Sequence, residues 1–178
     1  MTQALLVIDV QVGLFHASPR PHLADEVIEK INTLANRARL ANVPVIFIQH
    51  EDATDLVVNT GAWALAPNLQ VYPVDLKVRK QTPDAFLGTT LAALLTAHAV
   101  TQVVVAGYAS EFCIDTTVRR AAALGLNVVL AADAHTTHDK THASGAQIRA
   151  HHNATLAAIS SFGVPIKATP GCDVRFGD

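Results

Sequence analysis

The feature that most constrains this chain is a set of apolar runs that do not alternate with polar residues. Ala4 to Val10 is interrupted by Asp9 alone, and Val43–Gln49, Val103–Gly107, Asn127–Ala132 and Val164–Ala168 are similarly rich in Val, Ile, Leu and Ala. Leu76 to Arg79 reads as a short extra strand. A strand with one wet face alternates, whereas a strand buried on both faces does not. Helical patterns lie between the runs. In Leu23–Leu40 the residues Val27, Ile31, Leu34 and Ala38 recur at helical spacing. Thr89–His98 gives a short apolar helix, Glu111–Leu124 stops at Gly125, and Ser144–Phe162 closes at Gly163-Val164-Pro165. Strand and helix in alternation imply right-handed βαβ units. The expected fold is α/β, a three-layer α/β/α arrangement around a doubly wound, mainly parallel, Rossmann-like sheet of about five to six strands.

Composition narrows the function classes. The 178 residues suit a single domain over 1–178. Half of them are hydrophobic and 16% are charged, which excludes intrinsic disorder. A net charge of −2 lacks the basic footprint of a nucleic-acid binder. No apolar run reaches the roughly 18 residues of a membrane span, and the start lacks the basic region of a signal peptide. A cytoplasmic, reducing location is expected, so Cys113 and Cys172 should be unpaired. Val10-Gln11-Val12-Gly13-Leu14-Phe15 after the first run has no Gly-x-Gly-x-x-Gly, which argues against a dinucleotide site.

In such sheets the site lies beyond the C-terminal ends of the strands. Asp9 ends the first run, as a turn residue or cap or as a buried functional carboxylate that needs a partner. Cys113 follows Val103–Gly107 after Tyr108-Ala109-Ser110-Glu111-Phe112. With Ser110 as N-cap, Cys113 falls at about N3. There the helix N-terminus favours the thiolate, and free N–H groups could hold an oxyanion. The alternative is a small buried hydrophobe. Lys80 lies in a basic stretch with Lys77 and Arg79 that also reads as a surface patch. His135, His138 and His142 have spacings seen in metal sites, yet their Thr-, Asp- and Lys-rich setting reads as a loop.

Taken together, several segments resemble the isochorismatase-like cysteine hydrolase family. They are Leu6-Val7-Ile8-Asp9-Val10-Gln11, Val43-Pro44-Val45-Ile46-Phe47-Ile48-Gln49-His50, Lys80 with Ala85-Phe86 and Gly88-Thr89, Val104-Val105-Ala106-Gly107 leading to Cys113, and Ala132-Asp133-Ala134. The resemblance implies a catalytic triad of Asp9, Lys80 and Cys113. Cys113 would be the nucleophile, held as thiolate by the helix N-terminus and Lys80. Asp9 would be the base that takes the thiol proton and returns it to the leaving group. A cis peptide at Tyr108–Ala109 would aim the N–H groups of Ala109 and Cys113 at the oxyanion.

Family members with a cysteine here resemble amidases: nicotinamidases, carbamoyl-amide hydrolases and relatives. The implied reaction is hydrolysis of a small-molecule carbon–nitrogen bond (amide, ureido or lactam) through a thioester. Nicotinamidases carry an Asp-x-His metal motif where this chain reads Gln49-His50-Glu51-Asp52-Ala53. The likeness is therefore to a metal-free, cofactor-free subgroup, marked by Gly61-Ala62-Trp63, Thr116-Thr117 and Gln147 to Asn153, with a streptothricin-type lactam hydrolase as a relative. A homo-oligomer, dimer or tetramer, is expected from the family, with a small-molecule substrate and no nucleic-acid or membrane partner. Substrate contacts are expected from Phe15, Trp63 and Phe86 as walls, Gln11 and His135 as polar edges, Tyr108, and Glu111 toward a cationic group. The alternatives are a vinyl-ether hydrolase of the isochorismatase type and a non-catalytic binding protein on the same fold.

Overall fold

The computed structural model describes residues 1–177. Six strands form one sheet: β1 (Gln3–Ile8), β2 (Val45–His50), β3 (Leu76–Lys80), β4 (Gln102–Tyr108), β5 (Asn127–Thr136) and β6 (Ile166–Thr169). Their order is β3-β2-β1-β4-β5-β6 and every neighbouring pair is parallel. Along β1, Ala4, Leu6 and Ile8 join one apolar cluster, and Leu5 and Val7 join the other. Both faces are dry, which is why the sequence runs are continuous.

Helices α1 (Val12–Phe15) and α2 (Ala24–Leu40) cover one face, where Val27, Ile28, Ile31 and Leu34 pack on Phe47 and Val104. Helices α3 (Leu91–Ala97), α4 (Asp115–Ala123) and α5 (Gly145–Ala157) cover the other, through Leu91, Leu95, Val118, Ala122 and Leu156. The three-layer doubly wound fold expected from the apolar runs is the one observed. No helix among the described residues is long and apolar enough to cross a membrane.

The differences from expectation are local. β1 stops at Ile8 because Asp9 turns out of extended geometry at φ 53°. β5 continues to Thr136, so His135 lies in the sheet rather than in a loop. α5 opens with Ser144 and Gln147 in a reciprocal capping box but ends at Ala157, short of Phe162. Ser160 and Ser161, which compete for backbone hydrogen bonds, follow that end. The segment before α4 is a π-helical turn over Ser110–Ile114.

Strand order reverses at β1, which pairs with β2 on one side and β4 on the other, so the crevice at their C-terminal ends is the topological switch point. Gly107 permits the approach there. Its φ is +121°, and a Cβ added to it would meet the Ile8 carbonyl oxygen at 2.0 Å and the Ile8 nitrogen at 2.7 Å. Gly125 also has positive φ, +83°, but a Cβ there meets nothing within 4 Å. Gly107→Ala should therefore cost about 3 kcal/mol or more, and Gly125→Ala about 1 kcal/mol. Urea unfolding of both variants checks the order, and equal losses would refute it.

Candidate functional site

Three strand ends meet at the switch point. Asp9 follows β1, Lys80 ends β3, and Cys113 lies in the π turn that follows β4. Asp9 and Lys80 are each 1% exposed. Lys80 Nζ is 2.7 Å from Asp9 Oδ2 and 3.3 Å from Cys113 Sγ. It also donates to the Thr82 carbonyl at 3.2 Å and lies 3.3 Å from His50 Nδ1. An ammonium has three donors, so these four partners share them. Asp9 Oδ1 is buried and makes no hydrogen bond. Burial, reinforced by the Lys80 ammonium, holds the His50 imidazole below its usual pKa.

The turn that carries Cys113 is wound more loosely than an α-helix. The Ala109 carbonyl accepts from the N–H groups of Phe112 and Ile114, passing over Cys113. Ala109 takes the capping position with no side-chain cap, and the Tyr108–Ala109 peptide is cis. Ser110 is therefore not the N-cap expected from the sequence. Its hydroxyl instead bonds His135 Nδ1 at 2.8 Å. Burial and the Asp9 carboxylate push the Cys113 thiol up to about 12, against the opposing pull of Lys80. That direction runs against the thiolate expected from the sequence. Lys80 is already ion-paired with Asp9.

A cavity of about 330 Å³ opens over these groups. Asp9, Tyr108, Ala109 and Cys113 line its reactive end, Leu14, Leu56, Pro83 and Phe112 its apolar walls, and His50, Asp52 and Asp55 its polar side. Tyr108 stands in this wall, its hydroxyl 2.7 Å from His138 Nδ1. Burial pushes that phenol up to about 12.

The other expected substrate residues lie elsewhere. Gln11 is fully buried, donating to the carbonyls of His50 and Trp63 and accepting from the His50 N–H, and so stitches β2 to the long loop after it. Phe15 packs edge-on behind Tyr108 with ring centroids 6.0 Å apart. Trp63 lines a separate hollow with Gln49, Leu65 and Val71. Phe86 joins the core beside Leu91. Glu111 turns away from the nucleophile, accepting from Thr137 Oγ1 at 2.8 Å and pairing with Lys140 at 3.4 Å. It lines a second cavity, of about 450 Å³, with Gln147, His151 and His152. Cys172 is exposed and unpaired. Among the described residues no group of three or more His, Cys, Asp or Glu is placed to hold a metal ion.

Sequence reasoning did not single out Phe112, 52% exposed beside Cys113, or His50 as a partner of Lys80. The signal for His50 was its place at the end of β2, in register with Lys80. Leu14 and Leu56 carried none, because a wall built from loops has no periodicity.

His135 is fully buried and neutral, its pKa driven down to about 4 by burial, with Arg149 and His152 adding to the effect and Asn153 and Asp133 opposing it. The unfolded chain binds this proton near pH 6.5. Between about pH 6.5 and 4 the unfolded state is then the more protonated, so stability falls as pH falls. The expected loss from this group is on the order of 3 kcal/mol. Urea midpoints across that window should flatten in His135→Gln, and an unchanged slope would refute the assignment.

With a Lys-bridged carboxylate and thiol at the switch point of this sheet, the sequence comparison converges on one class. Residues 3–167 match the isochorismatase domain, and the chain belongs to the isochorismatase family. It is 39% identical over 139 residues to streptothricin hydrolase of Streptomyces noursei, covering 77% of this chain and 50% of that protein. The chain thus spans about half the length of that curated relative. It is 30% identical to nicotinamidase 3 of Arabidopsis thaliana, over 77% of this chain and 74% of that protein. A crystal structure of an isochorismatase family protein superposes with a TM-score of 0.87 at 34% identity, covering 94% of this chain and 98% of that one.

Proposed function

We propose that this chain is a cysteine-dependent hydrolase of a small-molecule carbon–nitrogen bond. The observation that carries the reading is Lys80 Nζ bridging Asp9 and Cys113 at the floor of the cavity. The names of the streptothricin hydrolase and nicotinamidase relatives support it.

Asp9 takes the thiol proton as Sγ of Cys113 attacks the substrate carbonyl carbon. Lys80 stabilises the negative charge that shifts between carboxylate and sulfur. The Sγ–C bond forms and the carbonyl oxygen becomes an oxyanion, received by the N–H groups of Ala109 and Cys113. Collapse breaks the C–N bond, and Asp9 gives its proton to the leaving nitrogen, which departs as ammonia or an amine or, in a lactam, stays on the acyl group as a free amine. Water then adds to the thioester, Asp9 taking its proton. The tetrahedral adduct expels Cys113, the proton returns to sulfur, and a carboxylic acid leaves. A thiol at rest suits this cycle, because the proton moves only when an electrophile is present.

The test is a panel of primary amides, ureido acids and lactams, assayed for ammonia or newly freed amine, with acid-quenched samples digested and their peptides weighed by mass spectrometry. At least one compound should turn over, with its acyl group added to the peptide bearing Cys113. Turnover with the acyl group absent from Cys113, or carried elsewhere, would overturn the thioester route. Hydrolysis of isochorismate with every amide refused would favour vinyl-ether chemistry instead.

A further inference from the structure

We propose that Ser110, His135 and Asn153 form a buried relay that fixes the nucleophile turn, with His135 as its central positioning residue. This rests on the reading of Cys113 as the nucleophile. Ser110 opens the π turn, His135 lies on β5 and Asn153 on α5, so the relay joins three elements. Ser110 and His135 are both fully buried.

The proton positions follow from the partners. Asn153 Nδ2 donates to the Ala132 carbonyl at 2.9 Å, which leaves its Oδ1 as an acceptor. That oxygen is 2.9 Å from His135 Nε2, so Nε2 carries the proton. His135 Nδ1 is then an acceptor, and the Ser110 hydroxyl donates to it at 2.8 Å. Every donor in the chain Ser110 to His135 to Asn153 to Ala132 meets an acceptor. A neutral imidazole is required throughout.

The reason for such a device lies in the turn. A serine at the start of a helix ordinarily caps its N–H groups. Here the hydroxyl is diverted into the core, and the π turn has no side-chain cap of its own. What holds its first residue is therefore the sheet, through His135. Cys113 follows three positions later, and its Sγ must keep its 3.3 Å contact with Lys80. A displacement of about 1 Å at such a centre costs on the order of 100-fold in rate.

Iodoacetamide tests this without the natural substrate. In its reaction the Cys113 Sγ–C bond forms, the C–I bond breaks, iodide leaves and Asp9 receives the thiol proton. The alkylation rate of Cys113 would be measured in a Cys172→Ser background. Ser110→Ala and His135→Leu should slow it about tenfold or more. His135→Gln keeps an acceptor for Ser110 and a donor for Asn153, and should remain within about threefold of the parent. Leu34→Ala, in α2 on the opposite face of the sheet, supplies a comparable loss of stability and should leave the rate unchanged. The relay is overturned if Ser110→Ala matches the parent, if His135→Gln is as slow as His135→Leu, or if Leu34→Ala slows the reaction equally. The amide panel separates the two levels of the argument. If the acyl group is absent from Cys113 while Ser110→Ala still slows alkylation, the reading of the function fails and the relay stands. If the acyl group is on Cys113 while Ser110→Ala alkylates at the parent rate, the relay alone fails.

Discussion

Cys113→Ala should abolish hydrolysis of whichever amide the panel identifies, by about 10⁴-fold or more. The size follows from the route. Removing the nucleophile deletes the covalent intermediate, and neither Asp9 nor Lys80 can replace sulfur as the atom that holds the acyl group. The fold should survive the change. The Asp9–Lys80 pair and the carbonyl of Thr82 remain to satisfy the ammonium, so the urea midpoint should move little. Initial rates on purified variant and parent, with circular dichroism as the check on folding, decide the matter. A variant that turned over at the parent rate would remove Cys113 from the chemistry.

The second large effect is on stability. Lys80→Met leaves the buried Asp9 carboxyl without its cationic partner. Breaking a buried ion pair in this way costs about 3–5 kcal/mol. Asp9→Asn, which strands the ammonium, should cost a similar amount. The double variant should be more stable than the sum of the single losses predicts, because neither charge is then left alone. Urea unfolding of the four proteins measures the coupling. A strictly additive cycle would mean that the 2.7 Å contact contributes nothing. Activity should be lost in all three variants.

These two experiments act on residues that the sequence already exposed. Asp9 stood out as a carboxylate inside an apolar run, and Cys113 as a thiol between a strand and a helix. Lys80 was ambiguous, because basic neighbours at 77 and 79 suggest a surface patch. Alternation along β3 resolves it: Val78 and Lys80 are buried while Lys77 and Arg79 are exposed. The fold was legible for a related reason, since continuous apolar runs report two dry faces directly. What escaped was set by tertiary context. The π turn depends on which N–H the Ala109 carbonyl accepts, and no local pattern encodes that choice. Gln11 and His135 looked like pocket edges because polar residues at strand ends usually are. In the structure their hydrogen-bonding capacity is spent inside the protein, on loop and turn backbones and on neighbouring side chains.

The place of β3 in the sheet has a kinetic consequence. It is the outermost strand on its side, attached through β2 alone, yet it delivers the ammonium that the whole site is built around. An edge strand with exposed Lys77 and Arg79 has little apolar reason of its own to dock. Its docking must desolvate Lys80, and that step becomes favourable once β1 has already presented Asp9. The central strands should therefore assemble first and β3 should close last, so that in a refolding experiment native protection of the β3 amides appears after that of β1 and β4. A reactive thiol would then exist in the refolding chain before the charge that governs it arrives.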